Sequence, residues 1–242
     1  MNGEILVLCW TALCMGVLHT LAGPDHYLPF VMLSRARRWS RTRLILVTAA
    51  CGFGHILSSV ALGLAGIAAG VAIGRLEGIE SVRGDLASWL LLGFGLAYAA
   101  WGIRRGARSR EHTHEHRHAA GDTHSHTHDH LHDAHLHPHP TDARGEDRKR
   151  VTVWALFVIF VLGPCEPLIP LVMVPASHHS WGGVVLVSSI FGVATVATMT
   201  VATLLLESGI KRLSTRWMER YMHALAGAVI ALSGASILFL GL

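Results

Sequence analysis

Long apolar runs separated by short charged stretches set the pattern of this chain. Spanning a bilayer by helix takes about 20 apolar residues, and six segments qualify: about Ile5 to Leu33, Leu44 to Ile73, Leu86 to Ile103, Val151 to Pro175, Gly182 to Leu206 and Tyr221 to Leu240. Strict alternation over short segments, the mark of a transmembrane barrel, is absent from them. The pattern predicts an all-α polytopic membrane protein. Two of the runs are interrupted. Gly23-Pro24 and Pro29 break the first, and Gly163-Pro164, Pro167 and Pro170 break the fourth. Proline removes a backbone donor and clashes with the preceding turn, so carbonyls are freed beside each break.

The two breaks correspond. Gly23-Pro24-Asp25-His26-Tyr27-Leu28-Pro29-Phe30-Val31-Met32 aligns with Gly163-Pro164-Cys165-Glu166-Pro167-Leu168-Ile169-Pro170-Leu171-Val172-Met173 after one insertion. Each opens a set of three spans, so the halves would insert with opposite orientation. The expected architecture is a 3+3 inverted repeat with helices one and four broken. Paired interruptions of this kind point to a transporter site near the bilayer midplane. The expected parts are a first three-helix repeat over 1–106, a linker over 107–149 and a second repeat over 150–242.

Charge sets the expected orientation. The chain is 51% hydrophobic and only 15% charged, with a net charge of +4, against about 25% charged in soluble proteins. Only Arg75 and Arg83 of its 20 basic residues fall in the loop after span two. The others cluster after spans one, three and five, so those loops are expected in the cytoplasm and both termini outside. Such placement suits the plasma (inner) membrane and the lipid bilayer. Basic patches interleaved with aromatics are missing, which argues against nucleic acid. Met1-Asn2-Gly3-Glu4 lacks a basic region, so the first run reads as a retained span rather than a signal peptide. Gly66, Gly70 and Gly74 have G-x-x-x-G spacing, suited either to packing within one bundle or to a homo-oligomer.

The candidate chemistry lies at the breaks. His19, Asp25 and His26 flank the first, and His55 follows glycine in span two. Ionisable groups at membrane depth are costly and by default functional. Three imidazoles and a carboxylate suit Ni2+, Co2+, Zn2+ or Cu2+ and poorly suit Mg2+ or Ca2+. The second break offers Cys165 and Glu166. Metal binding needs neutral imidazole, so it competes with protons. A lone intramembrane histidine is as readily a core residue bonded to a carbonyl; the group of three is harder to explain that way.

The linker adds a second set of imidazoles: His112, His114, His116, His118, His124, His126, His128, His130, His132, His135, His137 and His139. It has almost no apolar content and is expected to be disordered without metal. Its composition reads as metal binding.

At these residues the chain resembles the nickel/cobalt transporter superfamily, including its efflux members and the membrane proteins associated with urease maturation. The family's mark is His, four residues, then Asp-His; here five residues separate His19 from Asp25-His26. Gly54-His55 looks like the family's second polar patch, and a cytoplasmic His-rich loop is frequent among its efflux members. The resemblance implies a transporter, not an enzyme, whose cargo is Ni2+ or Co2+, with Zn2+ next and no tightly bound cofactor. A cytoplasmic His-rich loop favours efflux over uptake. The stretch from Gly163 to Pro170 also resembles that of thiol-relay membrane proteins of cytochrome c biogenesis. A two-electron relay needs two thiols, and the matching position in the first half holds Asp25-His26. Export of a small anion such as sulfite is a third reading, which leaves the His-rich loop unexplained.

Overall fold

The computed structural model describes residues 3–70, 73–108, 112–117, 123–128, 143–165, 167–178, 180–213 and 216–240. Helix α1 (Gly3–Ala22) runs into a 3-10 turn (Pro24–His26) and then into α2 (Leu28–Arg37). Helices α3 (Arg41–Ala68) and α4 (Ile73–Arg108) follow. After the linker come α5 (Ala143–Leu162), α6 (Leu168–Ser177), α7 (Trp181–Leu213), the short α8 (Arg216–Arg220) and α9 (Met222–Leu240). Among the described residues, five helices are long and apolar enough to cross a membrane: Gly3–Ala22, Arg41–Ala68, Gly74–Ala107, Trp181–Lys211 and Met222–Leu240. Their exposed faces carry large apolar side chains such as Trp10, Phe53, Leu96, Val193 and Phe239, as lipid contact requires. The stretch expected as span four consists of two shorter apolar helices, Thr152–Leu162 and Leu168–Ser177, on either side of the second break.

Local chemistry explains the helix ends. Pro29 sits in the first turn of α2, where its missing N–H costs nothing. Arg38 closes that helix in the left-handed conformation (φ 51°), and its N–H reaches back to Arg35 and Ser34. Ser40 then opens α3, its hydroxyl accepting from Arg43 N at 3.2 Å. In the linker, His112–Arg117 (β1) and Thr123–His128 (β2) pair antiparallel. His112, His114 and His116 stand opposite His128, His126 and His124 in the register. His118, His130, His132, His135, His137 and His139 lie outside the described residues.

Packing is organised by one close helix pair. α4 and α9 run against each other through Gly95, Gly102, Gly227 and Gly234, and a Cβ at any of these would strike backbone of the opposite helix. Of the three glycines that sequence spacing suggested for such a role, Gly66 does pack against α4, where a Cβ would strike the Leu76 side chain, while Gly70 and Gly74 have open space around them. Of that trio, Gly70 lies beyond α3 in a turn at φ 64°, and Gly74 lies on the next helix. The G-x-x-x-G reading therefore fails for a physical reason: α3 stops at Ala68, so the three do not share a helix face. Gly227→Ala is expected to destabilise the fold by about 1–3 kcal/mol, because its Cβ would lie 2.6 Å from Ala99 Cα and 2.7 Å from Gly95 O. Gly93→Ala, with open space around it, is the control. Thermal unfolding in detergent micelles should separate the two, and equal midpoints would refute the packing.

Two apolar clusters fill the interior. One gathers Phe30, Leu33, Leu44, Leu91, Leu156, Phe160 and Ile230 where α2, α3, α4, α5 and α9 meet. The other gathers Ala12, Ile56, Cys165, Leu168, Val187 and Phe191 from α1, α3, the second break, α6 and α7. The polar groups described next lie between Phe160 of the first and Phe191 of the second.

Candidate metal centre

Three imidazoles meet at the first break. His19 comes from the last turn of α1, His26 from the 3-10 turn and His55 from the middle of α3. Ring centroids are 4.8 Å apart for His19–His26, 5.4 Å for His26–His55 and 6.4 Å for His19–His55. One ring nitrogen from each falls within 4.8 Å of the others. Phe160 stands edge-on to both His26 and His55, and Phe191 flanks His19.

The break creates this meeting. Gly23 N still bonds His19 O at 3.1 Å, closing α1, and His26 N turns back to Gly23 O at 3.1 Å. Tyr27 donates its hydroxyl to Leu21 O at 3.3 Å, taking one of the carbonyls left free at the helix end. The tight turn brings His26 back over Gly23. A Cβ on Gly23 would lie 2.5 Å from His26 Nδ1 and 2.8 Å from Asp25 Oδ1, so only glycine leaves room for the ring. Gly23→Ala is backbone-compatible at φ −89°, so its effect falls on the ring. Ni2+ affinity of the detergent-solubilised protein is expected to drop by about 10–100-fold. An unchanged affinity would place His26 elsewhere.

Hydrogen bonds fix which nitrogen two of the rings present. His26 Nδ1 lies 3.1 Å from Gly23 O and 3.2 Å from Asp25 Oδ1. Both partners only accept, so Nδ1 carries the proton and Nε2 carries the lone pair. His55 Nδ1 lies 3.1 Å from Phe160 O, which dictates the same tautomer. The Nε2 atoms of His19, His26 and His55 are all buried without a hydrogen-bond partner. A buried polar atom left unpaired costs about 1–3 kcal/mol, and three together suit a ligand that supplies what the protein does not. His223 is the contrast: its Nδ1 sits 2.8 Å from the Tyr98 hydroxyl.

The other residues expected at the site take different places. Asp25 stands behind His26, its Oδ1 3.2 Å from Nδ1, a position that a carboxylate behind a ligating histidine would occupy. Cys165 is fully buried in the apolar cluster with Ile56 and Leu168, and its thiol is free, as are those of Cys9, Cys14 and Cys51. Glu166 lies outside the described residues. The second break nevertheless touches the centre. Gly163 closes against His55, where a Cβ would lie 3.3 Å from Nδ1.

Sequence reasoning missed Glu80 and Arg83, counted with a loop after span two. Both lie on α4. Glu80 is fully buried and paired with Arg83. Glu80 Oε2 accepts from Cys165 N at 3.1 Å, while Arg83 donates to Val161 O at 2.8 Å and Ser58 Oγ at 2.9 Å. The pair thus satisfies backbone groups freed at the second break. The signal was present as the helical spacing of Leu76, Glu80, Gly84, Ala87 and Leu91, all buried.

No family model, curated protein or solved structure matches this chain.

Proposed function

We propose that this protein carries a divalent transition-metal cation across a membrane, with Ni2+ or Co2+ the first choice and Zn2+ the next. The observation that carries the reading is the convergence of three buried, unpartnered imidazole nitrogens among apolar helices. Neutral imidazole suits borderline cations such as Ni2+, Co2+ and Zn2+. Three nitrogen ligands leave a further position for a fourth donor, an arrangement that binds without closing the shell. Tetrahedral coordination at about 2.0 Å implies nitrogens about 3.3 Å apart, so the rings would draw inward by roughly 1 Å on binding.

The six-span inverted repeat is part of the same proposal. Its support is the packing: α1 lies on α7 as α5 lies on α3, and α2 lies on α9 as α6 lies on α4. Each broken segment also resumes as a helix of 10 residues, Leu28–Arg37 and Leu168–Ser177. In such a design the site sits between repeats that rock about it, and His55 and Phe160 belong to opposite halves. The basic loops and the His-rich linker would face the cytoplasm of a plasma-membrane protein, where the linker collects metal for export.

Cells expressing the protein are expected to hold less nickel and cobalt than control cells in the same medium, measured by elemental analysis. Equal content of nickel, cobalt and zinc would overturn the reading. A higher content would reverse the direction and keep the cargo.

A further inference from the structure

Threonine in a helix ordinarily returns its hydroxyl to the carbonyl one turn back. Thr11, Thr20 and Thr200 do so, at 2.9, 2.7 and 2.8 Å. Thr48, Thr195 and Thr203 do not: each Oγ1 is buried without a hydrogen-bond partner, as is Glu207 Oε2. These four side chains are 0–2% exposed. Three of them lie on α7 in a sequence of four-residue steps, Phe191, Thr195, Met199, Thr203 and Glu207, buried throughout. Such steps keep to one slowly winding face of a helix.

That face meets the imidazoles at one end and the basic surface at the other. A Cβ on Gly52 of α3 would lie 3.0 Å from Met199 Sδ, and one on Gly192 would lie 3.2 Å from Ile56. Arg41, at the start of α3, approaches Glu207 Oε2 at 4.0 Å, and Lys211 pairs with Glu207 Oε1. The two helices therefore run antiparallel. Thr48 and Thr203 each lie one turn from the Gly52–Met199 contact, toward Glu207. In the other direction, Thr195 faces α1, its Oγ1 3.3 Å from where a Gly16 Cβ would stand, and Phe191, one turn further, flanks His19. The α7 face together with Thr48 of α3 thus strings a carboxylate, two hydroxyls, a thioether and a third hydroxyl along the seam toward the rings.

We propose that the α3–α7 seam, through Glu207, Thr203, Thr48, Met199 and Thr195, is the route by which a transition-metal cation passes between the basic face of the protein and the imidazole triad. The proposal rests on the reading of that triad as the cation site. Glu207 at the mouth attracts the cation, and Lys211 and Arg41 leave the carboxylate as it arrives. The hydroxyls replace shed water one contact at a time. Met199 sulfur, the softest donor on the way, favours transition metals over alkali ions. No donor set along the seam matches the three imidazoles, so a cation moves through it without being held.

The experiment uses the full chain, reading equilibrium Ni2+ binding in detergent and initial Ni2+ flux in proteoliposomes. The Thr48→Val/Thr203→Val pair is isosteric and removes only the hydroxyls. It is expected to bind Ni2+ within about twofold of wild type while flux falls by about tenfold or more. The Thr48→Ser/Thr203→Ser pair, which keeps both hydroxyls, should retain flux within about twofold. Valine-pair flux equal to wild type overturns the route. Glu207→Gln gives an independent reading at the mouth: flux should fall at low Ni2+ and recover at saturation, and flux unchanged at every concentration counts against the seam. If wild-type protein binds no Ni2+, or binding is indifferent to His26→Ala, the triad reading fails first and the route with it.

Discussion

Replacement of His26 by alanine is expected to lower Ni2+ affinity by more than about 100-fold, while the thermal midpoint of the metal-free protein stays close to wild type. The first half follows from ligand count. Loss of an outer partner behind a ligand costs about 10–100-fold, and His26 is itself one of the three rings. The second half follows from hydrogen bonding. Its Nε2 makes no bond in the folded protein, so removing that desolvated atom offsets the loss of the Nδ1 bonds to Gly23 O and Asp25 Oδ1 and of some ring contact to Phe160. A purely structural histidine would behave oppositely, losing stability and leaving affinity nearly intact. Asp25→Asn grades the result. It keeps the shape beside Nδ1 but removes the charge, and should fall in the 10–100-fold range. Titration of Ni2+ into purified protein, paired with a melting curve, reads both halves. Unchanged affinity in His26→Ala would remove the centre from the transport proposal.

Glu80→Ala is expected to be the most damaging single change to the fold, costing about 3–5 kcal/mol. The carboxylate is fully buried, and Arg83 beside it is only 18% exposed. Truncating Glu80 strands a guanidinium in an apolar bundle and unpairs the Cys165 amide. Replacing both partners by apolar residues of similar volume, Glu80→Leu with Arg83→Met, should recover much of the loss, because the cost of breaking such a pair is mostly the uncompensated charge. Unfolding of detergent-solubilised variants, followed by helix signal, tests this. A Glu80→Ala midpoint equal to wild type would mean that the pair holds nothing together.

The sequence made the centre legible because the bilayer makes ionisable groups conspicuous. His19, Asp25, His26 and His55 stand out against apolar runs, and Gly23-Pro24 says where the helix must open. Their meeting is consistent with that pattern, but the tautomers are not visible in it, since they depend on carbonyls from a segment 105 residues away in the case of His55 and Phe160. Glu80 and Arg83 were misread for the converse reason. Arg75, Glu77 and Asp85 are exposed and make the whole stretch look like a loop, although the buried positions among them keep helical spacing. The glycines failed differently. G-x-x-x-G counts residues and assumes the helix continues, and α3 stops between the first and second members of Gly66, Gly70 and Gly74. The glycines that do bring helices together, Gly95 with Gly102 and Gly227 with Gly234, are seven apart, nearly two turns, a spacing that only the partner helix reveals.

The carbonyls of Gly23 and Phe160 hold the ring protons of two of the three imidazoles. Main-chain oxygen is present whatever side chain a codon specifies. Drift in the side chains around the centre can therefore change what surrounds the rings without changing which nitrogen His26 and His55 present. If the centre binds a cation as proposed, its choice of ion and the polarity of its ligands are inherited separately, and a lineage can retune the first while the second stays fixed by the backbone.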